Sequence, residues 1–412
     1  MGIRKIIFVI ILSLWSQSVG ADLESTNLLP KNVWSPKFIY GSYSGLSDRY
    51  NSSGLLEGVS ARYHIDLTSQ RLARMNDEVQ ILINALNSFS HDLGNKVYFG
   101  TLDFKSNPVI DYFTPMLTYG LSKNVSVGVG IPIVHYQNTV QVVMSGKSNI
   151  QDIIDHTGDL NEDLKNGLLK AKNSVAEIPT LFQATLIKKG YKSVRNVNYT
   201  AIGDVQASAN YLYYKKKNLR LSVRPYVQVP TGQKDDPDDL VDLATGGQPA
   251  VGAYSIHEFK ILPRLTLASS VGYHANIEDR VNLRVPASTD DLLPGPERKE
   301  NVKRKTGNSI FLEGGTRYTI SPQFEVGAYY DYTQKDPDWY AGENGWNYGA
   351  LSDDSTAQTH QLKGVVEFNT VNWYQQKAYD VPFILGYVYG NTFYAINYPS
   401  QITNQLYLRM FF

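Results

Sequence analysis

The chain has 412 residues, among them 29 tyrosines, 32 glycines and no cysteine. Lys and Arg together number 39, as do Asp and Glu, and this balance argues against a general nucleic-acid-binding protein. Without cysteine the chain has no disulfide, no thiolate metal site and no thiol nucleophile.

The first residues have the layout of a secretory signal peptide. Two basic residues precede an apolar run at 6–15, and a small-x-small cleavage site ends at Ala21. Such a layout marks an exported protein rather than a membrane-spanning helix. We therefore predict that residues 1–21 are the signal peptide and residues 22–412 the mature protein. No later apolar run reaches the roughly 18 residues that a transmembrane helix needs.

Alternation of apolar and polar residues dominates the mature sequence. In the segment 124–134, one face carries Val125, Val127, Val129, Ile131 and Ile133. The same alternation recurs at 59–67, 219–229, 264–274, 308–320 and 323–333. A period of two over so many segments predicts β-strands with one apolar and one polar face.

The lengths of the connections distinguish between two architectures for such strands. A soluble sandwich points its apolar faces inward, whereas an outer-membrane barrel points them to lipid and its polar faces to the lumen. Short turns lie at 121–124, 215–218, 261–264 and 320–323, and long segments lie at 137–199, 230–249, 277–307 and 335–356. Strict alternation of short and long connections is typical of a barrel with short periplasmic turns and long external loops.

We predict an all-β fold, a transmembrane antiparallel β-barrel of 14 strands, with 12 strands as the alternative. Counted back from the C-terminus, twelve strands fall at 402–412, 382–395, 357–370, 323–334, 308–320, 264–276, 250–260, 218–229, 200–214, 124–136, 109–121 and 97–105. The alternating segments 37–45 and 56–67 add a further hairpin, which raises the number to 14. If the tight turns are periplasmic, the C-terminus is periplasmic too.

Two segments have helical rather than alternating periodicity. Apolar residues recur every three or four positions at 70–92 and at 148–176, which predicts two amphipathic helices. The number of strands predicted before residue 70 puts the first helix on the periplasmic side. From there it either stays at the rim or folds into the pore as a plug. The second lies in the longest external loop, either as a solvent-side helix packed on loop strands or as a lid.

The polar faces of the predicted strands carry charges of both signs. Our candidates for the lumen wall are Arg62, His64, Asp66, Asp204, Arg220, Arg224, Glu313, Arg317, Glu325, Asp331, Lys363, Glu367 and Arg409. Interleaved charges favour a salt-bridged wall over a strongly ion-selective tube. Two alternatives remain open, a barrel filled by its own side chains and an open pore.

We predict no catalytic, cofactor-binding or metal site. The loop at 233–248 holds five aspartates; it either contacts calcium or is a solvated external loop, which we favour because it lacks the residue order of an EF-hand. Ser270 and His274 share a strand face but lie about 13 Å apart, too far for a hydrogen bond. The chain has neither a His-x-Ser dyad nor a G-x-S-x-G elbow, so we predict that it is not an enzyme.

Three stretches resemble the putative meta-pathway phenol-degradation family of outer-membrane proteins. They are PMLTYGLSKNVSVGVGIPIV (115–134), IGDVQASANYLYY (202–214) and VRPYVQVPTGQ (223–233). In layout the resemblance covers roughly residues 97–412. It implies a barrel akin to the uptake channels for long-chain fatty acids and aromatic hydrocarbons, and it carries no catalytic residues.

These features predict a Gram-negative outer-membrane channel or transporter for small, hydrophobic or aromatic compounds, without a cofactor. A structural or surface-interaction barrel is the first alternative, and a barrel-embedded hydrolase is the second. The predicted partners are outer-membrane lipid and lipopolysaccharide, with no nucleic acid. The chain ends in NQLYLRMFF (404–412), and its last residue resembles the assembly signal of bacterial outer-membrane barrels. We therefore also predict an interaction of Phe412 with the barrel-assembly machinery.

Overall fold

The computed structural model describes residues 25–61, 64–73, 77–158, 160–288, 291 and 293–412. The predicted signal peptide and Arg62 lie outside these residues. The strands are β1 (Trp34–Ser44), β2 (Asp48–Tyr50), β3 (Leu56–Gly58), β4 (Ile65–Thr68), β5 (Tyr98–Ser122), β6 (Val125–Gly130), β7 (Ile133–Ser145), β8 (Val197–Ile202), β9 (Val205–Lys215), β10 (Leu219–Val229), β11 (Ala250–Leu262), β12 (Leu265–Asn276), β13 (Asp279–Arg284), β14 (Lys299–Lys305), β15 (Ser309–Ser321), β16 (Phe324–Lys335), β17 (Trp339–Ala341), β18 (Ala357–Asn369), β19 (Phe383–Ile396), β20 (Tyr398–Pro399) and β21 (Ile402–Met410).

Twelve of these strands form a closed antiparallel barrel. Around the ring the order is β1, β21, β19, β18, β16, β15, β12, β11, β10, β9, β6 and β5, and β5 pairs with β1 to close it. Strands β4, β7 and β8 belong to the same sheet but lie outside the ring. Closure satisfies the backbone groups that an open sheet would leave at its edges. We call the rim with the tight turns the turn side and the opposite rim the loop side.

The prediction of 14 strands is wrong, and the alternative of 12 is correct. The segment 56–67 alternates but does not enter the ring, because its parts find other partners. Its first part, β3, pairs with the short strand β2, and its last part, β4, pairs with β5. The segment 37–45 does enter the ring, as part of β1.

The predicted strands 97–105 and 109–121 are a single strand of 25 residues, β5. Its pairing with β1 begins at Ile110, and the preceding stretch pairs with β7, where Pro108 lies opposite Asn138. Proline is tolerated in a strand that has lost a neighbour on one side. The long strand therefore leaves the ring at the loop side and continues beyond it.

Two further ring strands continue beyond the loop side after a break. Strand β6 is followed by β7 across Ile131 and Pro132, and β9 is preceded by β8 across Gly203 and Asp204. The amide of Gly203 donates to the carbonyl of Pro132 at 2.7 Å, so the two breaks lie side by side. Beyond them β5, β7 and β8 form a three-stranded extension of the wall.

Side chains alternate between the two faces of the wall, as predicted. On β21, Leu406 is 47% exposed on the outer face, and the adjacent Tyr407 is 2% exposed on the inner face. The other ring strands likewise expose large apolar side chains on the outer face, among them Phe38, Leu117, Val129, Tyr211, Val227, Phe259, Leu267, Tyr318, Tyr330, Leu362 and Tyr387. An apolar band around the outside of a barrel is the surface that lipid requires.

The helices lie in the connections. They are Ser69–Ala73, Asp77–Phe89, Ile150–His156, Glu162–Ser174, Ile178–Lys188 and Val371–Gln375, with 3₁₀ turns at Gly94–Lys96, Val175–Glu177, Pro296–Arg298 and Tyr348–Leu351. None of the described helices is long and apolar enough to cross a membrane.

The predicted helical segments 70–92 and 148–176 pack on each other. Leu86 of the first and Leu168 of the second are fully buried in one apolar cluster, together with Leu102 of β5. Both segments therefore lie at the loop side. The prediction assigned 70–92 to the turn side because it counted two ring strands, 37–45 and 56–67, before it. Only the first of these enters the ring, so the chain reaches 70–92 at the loop side.

Candidate functional site

The inner wall of the barrel is the candidate functional site, and tyrosines laid flat against glycines shape it. Five tyrosines pack on inward-facing glycines of neighbouring strands, so that a Cβ on the glycine would overlap the ring. The pairs are Tyr112 with Gly41, Tyr226 with Gly252, Tyr254 with Gly272, Tyr329 with Gly315 and Tyr407 with Gly386. The glycines thus hold the rings along the wall and out of the centre of the lumen.

Apolar side chains pack against one another in the middle of the barrel and fill it at this level. Ile39, Ile110, Val365 and Val388 come from four different ring strands and are each at most 5% exposed. They form one cluster with Tyr43, Tyr112, Tyr136, Tyr329 and Tyr407. The interior at this level is therefore apolar and aromatic, whereas the water-filled channel of a porin is polar.

Charged side chains of the inner wall are paired between adjacent strands or, for Arg317 and Glu258, across the intervening strand β12. Arg317 forms ion pairs with Glu258 and Glu325, and Lys363 forms one with Asp331. These pairs cross β11–β15–β16–β18 near the turn side and the middle of the lumen. Paired charges of opposite sign leave little net field to select ions.

The N-terminal segment 25–33 lies inside the turn-side mouth. Its hydroxyl groups at Ser25 and Thr26 donate to the carboxylate of Glu258. On the adjacent strand β10, Arg220 pairs with Glu258 in the strand register and donates to Asn27 Oδ1 at 2.7 Å and to the carbonyl of Thr26 at 2.9 Å. The segment therefore runs along the inside of the wall from β1 to β11.

The same segment passes close to the wall on its way to β1. Leu29 is buried, and its amide donates a hydrogen bond to Ser126 Oγ on the wall at 3.0 Å. The carbonyl of Pro30 lies so near Gly120 that a Cβ there would overlap it. Gly120 is thus required for the close approach of two backbones.

An aromatic stack follows the inner wall near the loop side. The ring centroids of Tyr226 and Tyr254 are 5.7 Å apart, and those of Tyr254 and Phe311 are 5.8 Å apart, with interplanar angles of 27° and 24°. His274 stacks on Tyr226 and its Nδ1 lies 2.8 Å from the tyrosine hydroxyl. Arg224 lies over the Tyr254 ring, 5.1 Å from its centroid.

The acidic loop at 233–248 folds inward instead of extending into solvent. Asp239 is 2% exposed, and Leu243 is fully buried in the lumen cluster. The hydroxyl of Tyr199 on β8 donates to the carbonyl of Leu243 and accepts from its amide. The interpretation as a solvated loop is therefore wrong, because the apolar residues Val241 and Leu243 bury themselves against the extension of the wall.

Basic side chains meet the aspartates of this loop. Asp239 pairs with Arg195 at 2.7 Å, and Asp236 pairs with Lys192 at 2.8 Å. Asp238 accepts from Lys299 on β14. These contacts connect the acidic loop to the helical connection and to the β13–β14 hairpin, so that three loops cover the loop-side mouth as one unit.

Arg284 is the centre of this unit. Its guanidinium donates to Asp238, to the carbonyls of Lys189 and Gly190, and to that of Pro294. It also lies over the ring of Tyr191, 3.8 Å from the centroid. Burial alone raises the pKa of Asp238, but hydrogen bonds from Lys299 and Arg284 outweigh it and hold that pKa below its usual value.

The lumen candidates named from the sequence fall into two groups. On ring strands, on the buried face of the wall, lie Arg220, Arg224, Glu313, Arg317, Glu325, Asp331, Lys363, Glu367 and Arg409. His64 and Asp66 lie in the loop-side extension, where His64 Nδ1 is 2.5 Å from Asp103. Asp204 is buried at the break before β9 and accepts from the amides of Gly232 and Gly247.

Lys37 and Glu258 are among the inward charges that the sequence did not single out. Lys37 is 5% exposed and lies 4.4 Å from the centroid of the Tyr407 ring, and Glu258 is the acceptor for the N-terminal segment. Both lie at inward positions of alternating strands, so the alternation could have identified them. The role of the N-terminal segment has no signal in the sequence, since it is short and without periodicity.

Ser270 and His274 do not form a catalytic pair, because His274 bonds to Tyr226 and, through Nε2, to Asn276. A different serine–histidine pair lies on the outer face. Ser255 Oγ is 2.9 Å from His257 Nε2, and His257 Nδ1 is 3.3 Å from Ser269 Oγ. Ser255 and His257 occur in the order Ser-x-His, which is the reverse of the His-x-Ser pattern considered in the sequence. Ser255, His257 and Ser269 thus supply hydrogen-bond partners to one another on a wall where lipid supplies none.

Comparison with solved structures finds the same fold in an outer-membrane channel. An outer membrane channel from Pseudomonas putida F1 aligns over 95% of this chain and 99% of its own, with a TM-score of 0.53 and 12% identity. This likeness shows the fold. A toluene transporter of Ralstonia pickettii aligns over 93% of this chain and 90% of its own, with a TM-score of 0.35 and 8% identity. A porin, NanC, aligns over 75% of this chain and 98% of its own, with a TM-score of 0.32 and 10% identity.

No protein-family model and no curated protein matches the chain. The resemblance to the phenol-degradation family therefore stays a prediction. The structural comparison supports the broader conclusion, a closed barrel with the architecture of outer-membrane channels, and the two more distant structures carry no argument about substrate.

Proposed function

We propose that this protein is an outer-membrane channel or transporter for small, hydrophobic or aromatic compounds. The observation that carries the proposal is the apolar and aromatic middle of the lumen, formed by Ile39, Ile110, Val365 and Val388 with flattened tyrosine rings. Such a wall offers dispersion and stacking contacts to an apolar solute and few hydrogen bonds to a sugar.

In the proposed orientation the turn side faces the periplasm and the loop side faces the exterior, so that the C-terminus is periplasmic. The outer wall contacts phospholipid and lipopolysaccharide, and Phe412 presents the terminal signal to the assembly machinery. A closed barrel in detergent should migrate differently on a gel before and after boiling. Identical mobility of the two samples would contradict a stable barrel.

Flux through reconstituted protein tests the substrate class. We expect small aromatics to cross faster than sugars of similar size, relative to empty liposomes. Val365 faces the lumen cluster, whereas the adjacent Val366 is 49% exposed on the outer wall. Val365→Ser should reduce aromatic flux, and Val366→Ser is the matched control that should leave it unchanged. An aromatic flux into protein-containing liposomes equal to that into empty liposomes would refute the proposal.

A surface-interaction barrel is the second candidate, and the layer of helices at the loop side favours it. Leu181 and Ile187 of the helix Ile178–Lys188 are 57% and 60% exposed. Exposed apolar side chains that lie together often mark a contact surface. Removal of these two side chains by Leu181→Ser and Ile187→Ser should abolish such an interaction without changing flux. An effect on flux alone would favour the channel.

A further inference from the structure

One turn-side connection differs from the others. Three tight turns join ring strands through two residues and one through three, whereas the connection from β18 to β19 spans residues 370–382. It contains the helix Val371–Gln375 and exposes Tyr374, Tyr379 and Val381 by 48%, 45% and 41%. We call it the turn-side segment.

The turn-side segment is an ordered structure with closed ends. The amide of Thr370 donates to the carbonyl of Phe383 at 2.9 Å, and the amide of Phe383 donates to the Thr370 hydroxyl oxygen at 2.9 Å. The same hydroxyl donates to the carbonyl of Val381 at 2.9 Å. Thr370 is 1% exposed. These bonds fix the direction in which the segment leaves the barrel.

That direction is toward the outer face of the wall. Glu325 and Glu367 occupy inward positions opposite each other, so their neighbours Phe324 and Phe368 face outward. The Trp373 ring contacts Phe368 edge to face, with a centroid distance of 5.7 Å. The segment therefore folds over the outside of the rim, while the N-terminal segment occupies the mouth.

The contacts extend along the outer rim as an aromatic belt made of two groups of rings. Phe368 lies 5.1 Å from Phe324 and 6.0 Å from Phe383, which in turn lies 6.1 Å from Tyr379. Around the same rim, Trp34 packs on Tyr119 at 4.4 Å and its backbone bonds to that of Phe412. Aromatic belts at this level of a barrel lie in the interfacial layer of the bilayer.

From these contacts we infer that the turn-side segment is a membrane-surface anchor that lies in the phospholipid headgroup layer at the turn side. Trp373 and Tyr379 enter the layer beside the belt, and Tyr374 and Lys377 face the headgroups. Trp and Tyr suit this position because their rings are apolar and their N–H and O–H groups reach water. The inference rests on the proposed function, since it requires the barrel to span a membrane.

Quenching of tryptophan fluorescence by brominated phospholipid tests this inference. Trp34, Trp346 and Trp373 are each kept as the sole tryptophan, with the others replaced by Phe. The proteins are reconstituted in vesicles of phosphatidylcholine brominated in the upper part of its acyl chains. Trp34 reports the belt. Trp346, whose ring centroid lies 4.5 Å from the Arg298 guanidinium beside the β13–β14 hairpin, reports a position away from lipid.

We expect Trp373 to be quenched to the same extent as Trp34, and Trp346 to be unaffected. Quenching of Trp34 without quenching of Trp373 would overturn the inference and leave the barrel in the membrane. Absence of quenching for both would overturn the membrane barrel itself and the anchor with it. If the sole-tryptophan proteins do not assemble, Trp373→Phe is made in the otherwise unchanged protein. A smaller quenched fraction of the total tryptophan fluorescence in this variant then measures the same contact.

Discussion

The Tyr112 ring lies against Gly41 of the neighbouring strand, in the space that a side chain at position 41 would fill. From there its hydroxyl donates to Gln405 Oε1 at 2.9 Å on β21, one strand further around the ring. A glycine and a tyrosine on adjacent strands thus set the width of the lumen and tie three strands together.

Gly41→Ala should push the Tyr112 ring into the lumen and break its bond to Gln405. Because overpacking of a filled interior costs about 1–3 kcal/mol, we expect lower stability against urea and a changed conductance. Gly364→Ala on the outer wall is the matched control, since a Cβ there meets nothing within 4 Å. Equal effects of the two substitutions would mean that the packing of Tyr112 is not responsible.

The N-terminal segment should restrict passage through the turn-side mouth. Ser25→Ala combined with Thr26→Val removes the two hydrogen bonds that the segment donates to Glu258, and each bond to a charged group is worth about 1.5–3 kcal/mol. We expect higher single-channel conductance and faster proteolysis of the segment. Thr316→Val, an exposed outer-wall change of similar chemistry, should alter neither quantity. Unchanged conductance in the double variant would show that the segment does not limit passage.

Arg284→Ala should release the three loops that cover the loop side. The substitution removes one of the two basic partners of Asp238, and it leaves the carbonyls of Lys189, Gly190 and Pro294 without this donor. Each hydrogen bond to a charged group is worth about 1.5–3 kcal/mol. Arg280→Ala is the control on the same strand, because its pair with Glu343 is solvent-exposed and worth about 1 kcal/mol at most. Hydrogen exchange over 233–248 should accelerate strongly in the first variant only.

Acid should loosen the same loops. The folded pKa of Asp238 is lowered by Lys299 and Arg284, so its contribution to stability is fully present above the unfolded pKa of about 3.9. That contribution is lost as pH falls through the lower folded pKa. Proteolysis by an acid-active protease should therefore increase below this range. Asp238→Asn should remove most of the pH dependence, and a variant that kept it would contradict the assignment.

The serine–histidine pair on the outer wall should be structural. If so, a fluorophosphonate will not label Ser255 in reconstituted vesicles. His257→Leu together with Ser255→Ala and Ser269→Ala should leave stability unchanged or higher, because apolar groups replace a polar cluster on a lipid-facing wall. Labelling of Ser255 that disappears in His257→Ala would instead support the hydrolase alternative.

The period of two predicted the faces of the strands correctly at single residues. Leu406 and Tyr407 take opposite sides of the wall because successive side chains in a strand always do, whatever its neighbours. The alternation of short and long connections predicted the antiparallel ring for the same local reason. It could not predict membership of the ring, since 56–67 and 37–45 alternate alike and only their pairing partners differ.

The tertiary structure alone determined what fills the barrel. The five aspartates of the acidic loop have the composition of a solvated segment, and only the positions of Arg284, Lys299 and Arg195, far along the chain, make their burial favourable. The close packing of Tyr112 on Gly41 depends on strand register, which brings together residues 71 positions apart. The sequence by itself thus determined a barrel with an apolar exterior, because periodicity is local. The contents of its lumen depended on contacts between residues distant in the chain, and no local pattern records them.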